Sequence, residues 1–365
     1  MPIRVAQSTN PDPRAAAAEL KAGLGAGEWQ LVLYFVSSAY PQAETAAAVQ
    51  RAFAPARTLG CSTAGEIVSG AMATSSIVAM ALDAEPLADF DLQLVADIHD
   101  RAAIDAALAR LEEHFGASLR RMDVDRYVGL ALMDGLSGAE ERLMDYLGDR
   151  TDVLFVGGSA GDDLAFRETT VHADGRTSAR GAVLAILRPR NGFDIIKTQS
   201  FTEFGRTLVP TAVDEATRTV REFDGRPAVQ AYAEALGASP EALADEFMSH
   251  PLGLMVDGEP FVRSPQQVSG GAIRFFCAVK EGMELSILTS ADIVRDTERA
   301  LAERLSGAAG LVNFNCILRT LELRKKGLDE AYGRLFERVP TIGFSTYGEA
   351  YLGHVNQTAT MLLLR

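Results

Sequence analysis

The chain has 365 residues, of which 47% are hydrophobic and 23% are charged, a composition typical of a soluble globular protein with a sizeable core. This length favours two domains over one. The formal net charge of −14 argues against a surface that binds nucleic acid or an anionic membrane.

The N-terminus and the cysteines indicate where the protein is expected to reside. Residues 1–14 lack the apolar stretch of a signal peptide, and the longest apolar runs are only as long as a strand. Cys61, Cys277 and Cys316 form an odd-numbered set without metal-ligand spacing. We therefore expect a cytoplasmic protein that does not span a membrane.

A strand–helix–strand pattern begins near the N-terminus. An apolar run at 31–35 predicts a strand, residues 43–53 predict a helix, and a second apolar run leads into the glycine turn TLGCSTAGE at 58–66. Further strands are predicted at 75–82 and 88–95. A strand, helix and strand of this length predict a right-handed βαβ crossover.

The same order of elements returns in the middle of the chain. A strand at 128–132 and a helix at 138–147 precede the glycine turn LFVGGSAGDD at 154–163. Strands at 180–187 and 191–198 follow it. We interpret this similarity as an internal repeat.

A third copy ends the chain. The strand LVNFNCIL at 311–318 leads into the helical segments TLELRKKG and LDEAYGRLFER. The turn TIGFSTYGE at 341–349 and a strand at 356–364 complete the copy.

A divergent region at about 200–305 separates the second and third copies. Its predicted elements are a strand at 217–224, a helix at 225–237, a hairpin at 253–264 turning at Asp257 and Gly258, the strands IRFFCAV and MELSIL, and a helix at 291–305.

These patterns predict a layered α/β sandwich, built from repeated βαβ–glycine-turn–β units in two domains. The first domain, 1–199, contains two copies, and the second, 200–365, contains the divergent region and the third copy. Each glycine turn follows the second strand of a βαβ unit, at the end of the sheet where open α/β folds bind ligands.

The glycine turns supply most of the predicted ligand-binding residues, because glycine permits close approach of backbone N–H groups and serine and threonine add short donors. The acids Glu66, Asp162 and Glu349 bind an ammonium group or cap the turns. Arg263 pairs with a ligand carboxylate or is a solvated hairpin residue. The full predicted set is Ser62, Thr63, Glu66, Ser159, Asp162, Asp163, Arg263, Ser345, Thr346, Tyr347 and Glu349.

Two alternatives concern nucleophiles in these turns. Gly157 to Gly161 matches G-x-S-x-G, which in a serine hydrolase places the nucleophile, here Ser159, before a helix. The residues after this turn favour a strand instead, and the other two turns read G-x-S-x-x-G. Cys61 is either a reactive thiol or a small buried apolar residue, and we favour the latter.

Several segments resemble the FIST family of signal-transduction sensors, which pair an N-terminal and a C-terminal FIST domain. They extend from about residue 30 to the end of the chain and are GCSTAGEI (60–67), VGGSAGDD (156–163), TVREFDGRPAVQAYAEALG (219–237), PLGLMVDGEPFVRS (251–264) and GFSTYGEAYLGHVNQTATMLLL (343–364).

The resemblance implies a non-enzymatic input module that binds a small ligand, such as an amino acid. It also implies a separate signalling partner, such as a histidine kinase of a two-component system or a diguanylate cyclase. The resemblance assigns no catalytic residue to this sequence. The expected mechanism is a population shift, in which a ligand held between the two domains favours a closed arrangement.

Some members of this family are haem proteins that respond to nitric oxide, so a haem-binding sensor is an alternative. His250 and His354 are the candidate axial ligands, and the chain has no C-x-x-C-H haem-attachment motif. His354 stands two places before Asn356, whereas relatives are expected to have a histidine adjacent to that asparagine. The residues by themselves call for no cofactor.

Overall fold

The computed structural model describes residues 2–365 and divides the chain into two compact units. No helix in this described part is long and apolar enough to cross a membrane. Unit 1 contains the residues up to Thr198, Val294–His354 and Ala359–Arg365, and unit 2 contains Gln199–Ile293 and Val355–Thr358.

The first copy of unit 1 consists of β1 (Ile3–Ser8), α1 (Pro13–Leu24), β2 (Leu31–Ser37), α2 (Gln42–Phe53), β3 (Arg57–Thr63), β4 (Glu66–Val68), β5 (Ala71–Ala73) and β6 (Ile77–Leu82). Strands β2 and β3 pair in parallel across the α2 crossover, and β6 pairs antiparallel with β2. Every residue of β2 is buried, as expected of a strand covered on both faces.

The second copy has the same order. It consists of β7 (Leu87–Val95), α3 (Arg101–Phe115), a short 3₁₀ turn (Leu119–Arg121), β8 (Val128–Met133), α4 (Glu140–Arg150), β9 (Phe155–Ser159), β10 (Val171–Ala173), β11 (Arg176–Ser178) and β12 (Ala182–Pro189). Here β8 and β9 are the parallel pair. The next strand, β13 (Phe193–Thr198), is the last element before unit 2.

Unit 2 contains two antiparallel sheets and two helices around its own core, which includes Phe223, Tyr232 and Phe275. The predicted hairpin is confirmed, with positive φ angles of 50° and 81° at Asp257 and Gly258. Its elements are β14 (Phe201–Leu208), β15 (Pro210–Asp214), β16 (Thr219–Phe223), β17 (Arg226–Pro227), α5 (Ala228–Leu236), α6 (Leu243–Glu246), β18 (Leu252–Val256), β19 (Glu259–Arg263), β20 (Pro265–Ser269), β21 (Ala272–Phe275) and β22 (Leu285–Ser290).

The third copy begins with β13 and resumes after unit 2. Its remaining elements are α7 (Ile293–Ala302), β23 (Gly310–Cys316), α8 (Ile317–Lys326), α9 (Asp329–Arg334), β24 (Thr341–Thr346), β25 (Glu349–Tyr351), β26 (His354–Val355) and β27 (Ala359–Leu364). The predicted strand at 311–318 is therefore two residues too long, because Ile317 and Leu318 already belong to α8.

The three six-stranded sheets of unit 1 share a strand order and exchange hairpins. In each sheet, four strands come from one copy and the last two come from another. The orders are β1-β6-β2-β3-β10-β11, β7-β12-β8-β9-β25-β26 and β13-β27-β23-β24-β4-β5. Copy 1 thus receives the hairpin of copy 2, copy 2 that of copy 3, and copy 3 that of copy 1.

This exchange explains a difference from the predicted domain division at 199/200. The third copy, assigned by sequence to the second domain, lies in unit 1 with the other two copies. Its β24 pairs with β4 of copy 1, where Gly343 lies opposite Ile67. Its β27 pairs with β13, where Leu362 lies opposite Ile195.

Candidate functional site

The three glycine turns meet in a closed ring of backbone hydrogen bonds. In each turn, the residue two places after the serine donates its N–H to the carbonyl oxygen of the equivalent serine in another turn. The bonds run from Ala64 to Ser345 at 3.3 Å, from Gly161 to Ser62 at 3.0 Å and from Tyr347 to Ser159 at 3.1 Å. The predicted turn residues are thereby brought together within unit 1.

The first glycine of each turn is required by close packing against the neighbouring parallel strand. A Cβ atom there would lie about 2 Å from a backbone carbonyl oxygen, a distance that real Cβ atoms do not adopt. These contacts are 2.1 Å from Gly60 to Tyr34, 1.8 Å from Gly157 to Ala131 and 2.1 Å from Gly343 to Asn313.

The carboxylates that follow the first and third turns are buried and cap their own turns. Thr63 donates a hydrogen bond to one oxygen of Glu66, and Ser76 donates to the other from its N–H at 3.1 Å and its hydroxyl at 2.7 Å. Burial raises the pKa of Glu66 from 4.5 to about 7, although these hydrogen bonds act in the opposite direction. In the third turn, Thr346 donates to Glu349 in the same way.

Asp162 organises the longer connection of copy 2, residues 160–170, which we call the copy-2 loop. Its carboxylate accepts hydrogen bonds from the backbone N–H groups of Phe166 at 3.0 Å, Arg167 at 2.6 Å and Glu168 at 3.1 Å. The neighbouring Asp163 accepts a hydrogen bond from the Ser38 hydroxyl of copy 1 at 2.6 Å. Asp162 therefore has a different role from Glu66 and Glu349, with which the sequence grouped it.

A pocket of about 620 Å³ lies between the copy-2 loop and the N-terminus of α2, and we call it the α2 pocket. Two of the predicted site residues, Ser62 and Asp162, line it. The complete lining is Ser38, Tyr40, Pro41, Gln42, Ala43, Glu44, Ser62, Asp162, Ala165, Arg167, Glu168, Thr170, Thr177 and Ala179.

Four polar side chains of the α2 pocket have no side-chain partner among the described residues. Tyr40 is only 6% exposed, and its hydroxyl has no hydrogen-bond partner among the described residues. Arg167, Glu44 and Glu168 are exposed, and none of them forms an ion pair within residues 2–365. None of these four residues was predicted, because all four stand outside the glycine turns whose pattern marks the site in the sequence.

Ser159 does not have the surroundings of a hydrolase nucleophile. It is the last residue of β9, and the copy-2 loop rather than a helix follows it. Its side chain is 0% exposed, and its hydroxyl oxygen has no hydrogen-bond partner in the described structure, so no base stands within reach. Cys61 is likewise fully buried, which raises the pKa of its thiol well above the usual value and makes it inert.

Comparison with protein-family models identifies the family of this chain. The family model of the FIST N domain matches residues 30–226, and that of the FIST C domain matches residues 228–351. The chain belongs to the FIST family. FIST domains are associated with the sensing of small ligands in signal transduction. The junction of the two FIST matches lies inside unit 2, so these matches and the two compact units divide the chain differently.

One curated relative also resembles this FIST protein. An uncharacterized protein of Methanocaldococcus jannaschii is 24% identical over 200 residues, which is 50% of this chain. The chain spans 38% of the length of that relative.

The two histidines that could ligate a haem in this FIST protein have different surroundings. In unit 2, the Nδ1 atom of His250 lies 2.9 Å from a carboxylate oxygen of Glu246, and its partly exposed ring packs edge-to-face on Phe204. In unit 1, a Cβ atom at Gly348 would lie 2.0 Å from Nε2 of His354. The backbone of Gly348 therefore covers this nitrogen. The covered nitrogen of His354 does not suit an axial ligand, whereas the carboxylate on Nδ1 of His250 is compatible with ligation through its Nε2 atom, so a haem site at His250 stays a prediction.

Arg263 is the one predicted site residue that belongs to unit 2. It ends β19, and its Nη1 atom donates a hydrogen bond to the carbonyl oxygen of Val262 at 3.3 Å. It is not among the residues that line the α2 pocket.

Proposed function

We propose that this FIST protein is a sensor that binds a small molecule in the α2 pocket and relays its bound state to a separate protein. The observation that carries the proposal is the position of the pocket. It lies beyond the carboxyl ends of the parallel strands β2 and β3, at the N-terminus of α2, where α/β sheets bind ligands. The buried, unpartnered hydroxyl of Tyr40 supports it, because buried polar groups normally have partners.

The charges of the pocket favour a zwitterionic ligand of the amino-acid class. Arg167 supplies a guanidinium group for a carboxylate, and Glu44 and Glu168 supply carboxylates for an ammonium group. The Tyr40 hydroxyl adds a hydrogen bond at the buried end. Pairing with a ligand would give each of these groups the partner that it lacks within the described chain.

The copy-2 loop is suited to pass on the bound state. Its inner side supplies Asp162, Arg167 and Glu168 to the pocket, while its apolar residues Leu164 and Phe166 are 38% and 48% exposed. A ligand that binds one loop conformation more tightly shifts the population toward it and changes the outer surface. A cytoplasmic histidine kinase or diguanylate cyclase that reads this surface is the proposed partner.

Ligand binding is tested with the purified protein and the twenty common L-amino acids, by thermal shift and then by titration calorimetry. We expect at least one to raise Tm in a saturable manner. Arg167→Met should weaken binding about 10-fold or more, because a charge-assisted hydrogen bond is lost. Arg14→Met, which removes an exposed arginine outside the pocket, should bind as the wild type does. The pocket assignment fails if no amino acid binds or if Arg167→Met binds normally.

The relay is tested separately, by binding of purified histidine kinases and diguanylate cyclases from the same organism with and without the amino acid. Leu164→Ser should lose the partner and keep the amino acid. Leu352→Ser is the matched control, since this leucine is 71% exposed and lies outside the loop. If no signalling enzyme binds in either state, the relay is wrong even where the ligand binds.

A further inference from the structure

Arg319 is the largest fully buried side chain among residues 2–365, with 1% of its surface exposed. It lies in the first turn of α8. Its Nε atom donates a hydrogen bond to Oδ1 of Asn315, the residue before the Cys316 N-cap, at 3.0 Å. Its Nη2 atom donates to the hydroxyl oxygens of Thr198 at 3.3 Å and Thr297 at 3.0 Å. The guanidinium group is therefore directed toward the N-terminal end of the helix.

This buried cation has no anionic partner in the described chain. All its hydrogen-bond acceptors are neutral, and its Nη1 atom has no partner. Arg57 shows the usual alternative, since its guanidinium forms ion pairs with Asp91 and Asp174, each at 2.8 Å. Burying an unpaired charge is costly, so a buried arginine without a carboxylate indicates a missing anion.

We propose that Arg319, Thr198 and Thr297 form a binding site for the carboxylate group of a small organic acid. The Nη1 atom supplies N–H donors to the carboxylate. Both threonine hydroxyl oxygens accept a hydrogen bond from Nη2, so their own protons are available for donation. One ligand charge then neutralises one guanidinium charge.

The electrostatics of the site favour a carboxylate over a phosphate. No second cationic side chain takes part in this hydrogen-bond network, whereas a phosphate carries up to two charges. Because Nε and Nη2 already donate to Asn315 and the two threonines, the remaining donors are Nη1 and the threonine hydroxyls, which suffice for the two oxygens of one carboxylate. The partial positive charge of the N-terminus of α8 adds to the attraction.

The site is distinct from the α2 pocket and does not depend on it. It lies at the N-terminus of α8 after β23, the position in copy 3 that corresponds to the N-terminus of α2 after β2 in copy 1. None of its three residues lines the α2 pocket. Failure of the amino-acid experiment at Arg167 therefore leaves this inference intact.

The first experiment compares anions on the dialysed wild-type protein by thermal shift, at constant ionic strength. Sodium acetate is the probe, with methyl acetate, sodium chloride and inorganic phosphate as the alternatives. We expect acetate to raise Tm by about 1–3 °C in a saturable manner, and methyl acetate and chloride to have no such effect. A chloride effect equal to that of acetate, or a larger effect of phosphate, would overturn the carboxylate assignment.

The second experiment assigns the effect to Arg319. Arg319→Met should abolish the acetate shift and, without acetate, melt at or above the wild-type Tm, because the unpaired buried charge is gone. Arg57→Met is the control. It should melt lower, since Asp91 and Asp174 lose their partner, and it should keep the acetate shift. An unchanged acetate shift in Arg319→Met would refute the site.

Should Arg319→Met fail to fold, Thr297→Val provides an independent test. It removes one hydroxyl donor and leaves the charge in place. The acetate concentration that gives half of the shift should rise about 10- to 100-fold, as expected for one hydrogen bond to a charged group. An unchanged half-saturation concentration would remove Thr297 from the site and contradict the proposed donor set.

Discussion

Tyr347 and Asp162 lie 185 positions apart in the sequence, and the tyrosine hydroxyl donates a hydrogen bond to Oδ1 of the aspartate at 2.5 Å. The same hydroxyl accepts a hydrogen bond from the N–H of Leu164 at 2.7 Å, and the ring stacks on Phe166 at 5.2 Å between centroids. The turn of copy 3 thus holds the copy-2 loop, which forms one wall of the α2 pocket.

Tyr347→Phe should loosen the copy-2 loop without unfolding the protein. The substitution keeps the ring stacking and removes the hydroxyl that links Asp162 to Leu164. We expect faster amide hydrogen exchange confined to residues 162–168, and a loss of about 1–2 kcal/mol in the free energy of unfolding. Tyr351→Phe is the control, because no hydrogen bond of the Tyr351 hydroxyl links it to the loop. Equal exchange in both variants would show that the hydroxyl does not hold the loop.

Glu66 should make folding stability depend on pH. Its pKa is about 7 in the folded protein against a reference value of 4.5, so between these values the folded state binds more protons than the unfolded state. The stabilisation is fully present below pH 4.5 and is lost as the pH rises through 7. The shift corresponds to at most roughly 3 kcal/mol.

The measurement for Glu66 is the difference in urea-unfolding free energy between the wild type and Glu66→Gln from pH 4.5 to 8. Glutamine resembles the protonated acid, so the variant should lose stability less than the wild type as the pH rises. Glu28→Gln, at an exposed position, should follow the wild type throughout. A constant difference between wild type and Glu66→Gln would contradict the raised pKa.

The first glycine of each of the three glycine turns should tolerate no side chain. Gly60→Ala, Gly157→Ala and Gly343→Ala each place a Cβ atom about 2 Å from a backbone carbonyl oxygen that cannot rotate away. Each should lower the free energy of unfolding by about 3 kcal/mol, at the upper end of overpacking costs.

The matched control for the ring is Gly148→Ala in α4. A Cβ atom there meets nothing within 4 Å, and alanine favours the helix. This variant should be about 0.5–1 kcal/mol more stable than the wild type in chemical denaturation. Similar losses in all four variants would show that the close approach in the turns is not what requires glycine.

The sequence predicted the local units well because their signals are local. The continuous apolar run of β2 and the amphipathic segment of α2 are visible in short windows, as is the turn that joins β18 to β19. Helix α1 was not predicted, although the sequence carries the usual signals of a helix start. Asp12 caps the helix by accepting a hydrogen bond from the N–H of Ala15, and Pro13 is its first residue.

The exchange of hairpins could not be read from such windows. The pairing of Phe344 with Glu66 joins segments far apart in the chain, and periodicity carries no information about such register. Arg319 was missed for a related reason. An arginine in a helix is normally exposed, and only the packing of β13, α7 and β23 around it shows that it is buried.

Ser159 and Ser62 occupy equivalent positions in the ring, yet their substitution by alanine should have different effects. The hydroxyl oxygen of Ser62 accepts a hydrogen bond from the N–H of Thr170 at 3.0 Å, and Ser62→Ala would leave that buried donor unpaired, at about 1–3 kcal/mol. The hydroxyl of Ser159 is buried without a partner, so Ser159→Ala should be neutral or stabilising.

Urea unfolding of both serine variants measures this difference, and a fluorophosphonate probe tests the remaining chemistry of Ser159. We expect no labelling of the native wild type, because no base activates the hydroxyl and no solvent reaches it. Labelling that disappears in Ser159→Ala and persists in Ser62→Ala would instead establish Ser159 as a nucleophile. That result would make the turn of copy 2 a catalytic element, despite the absence of a helix after it.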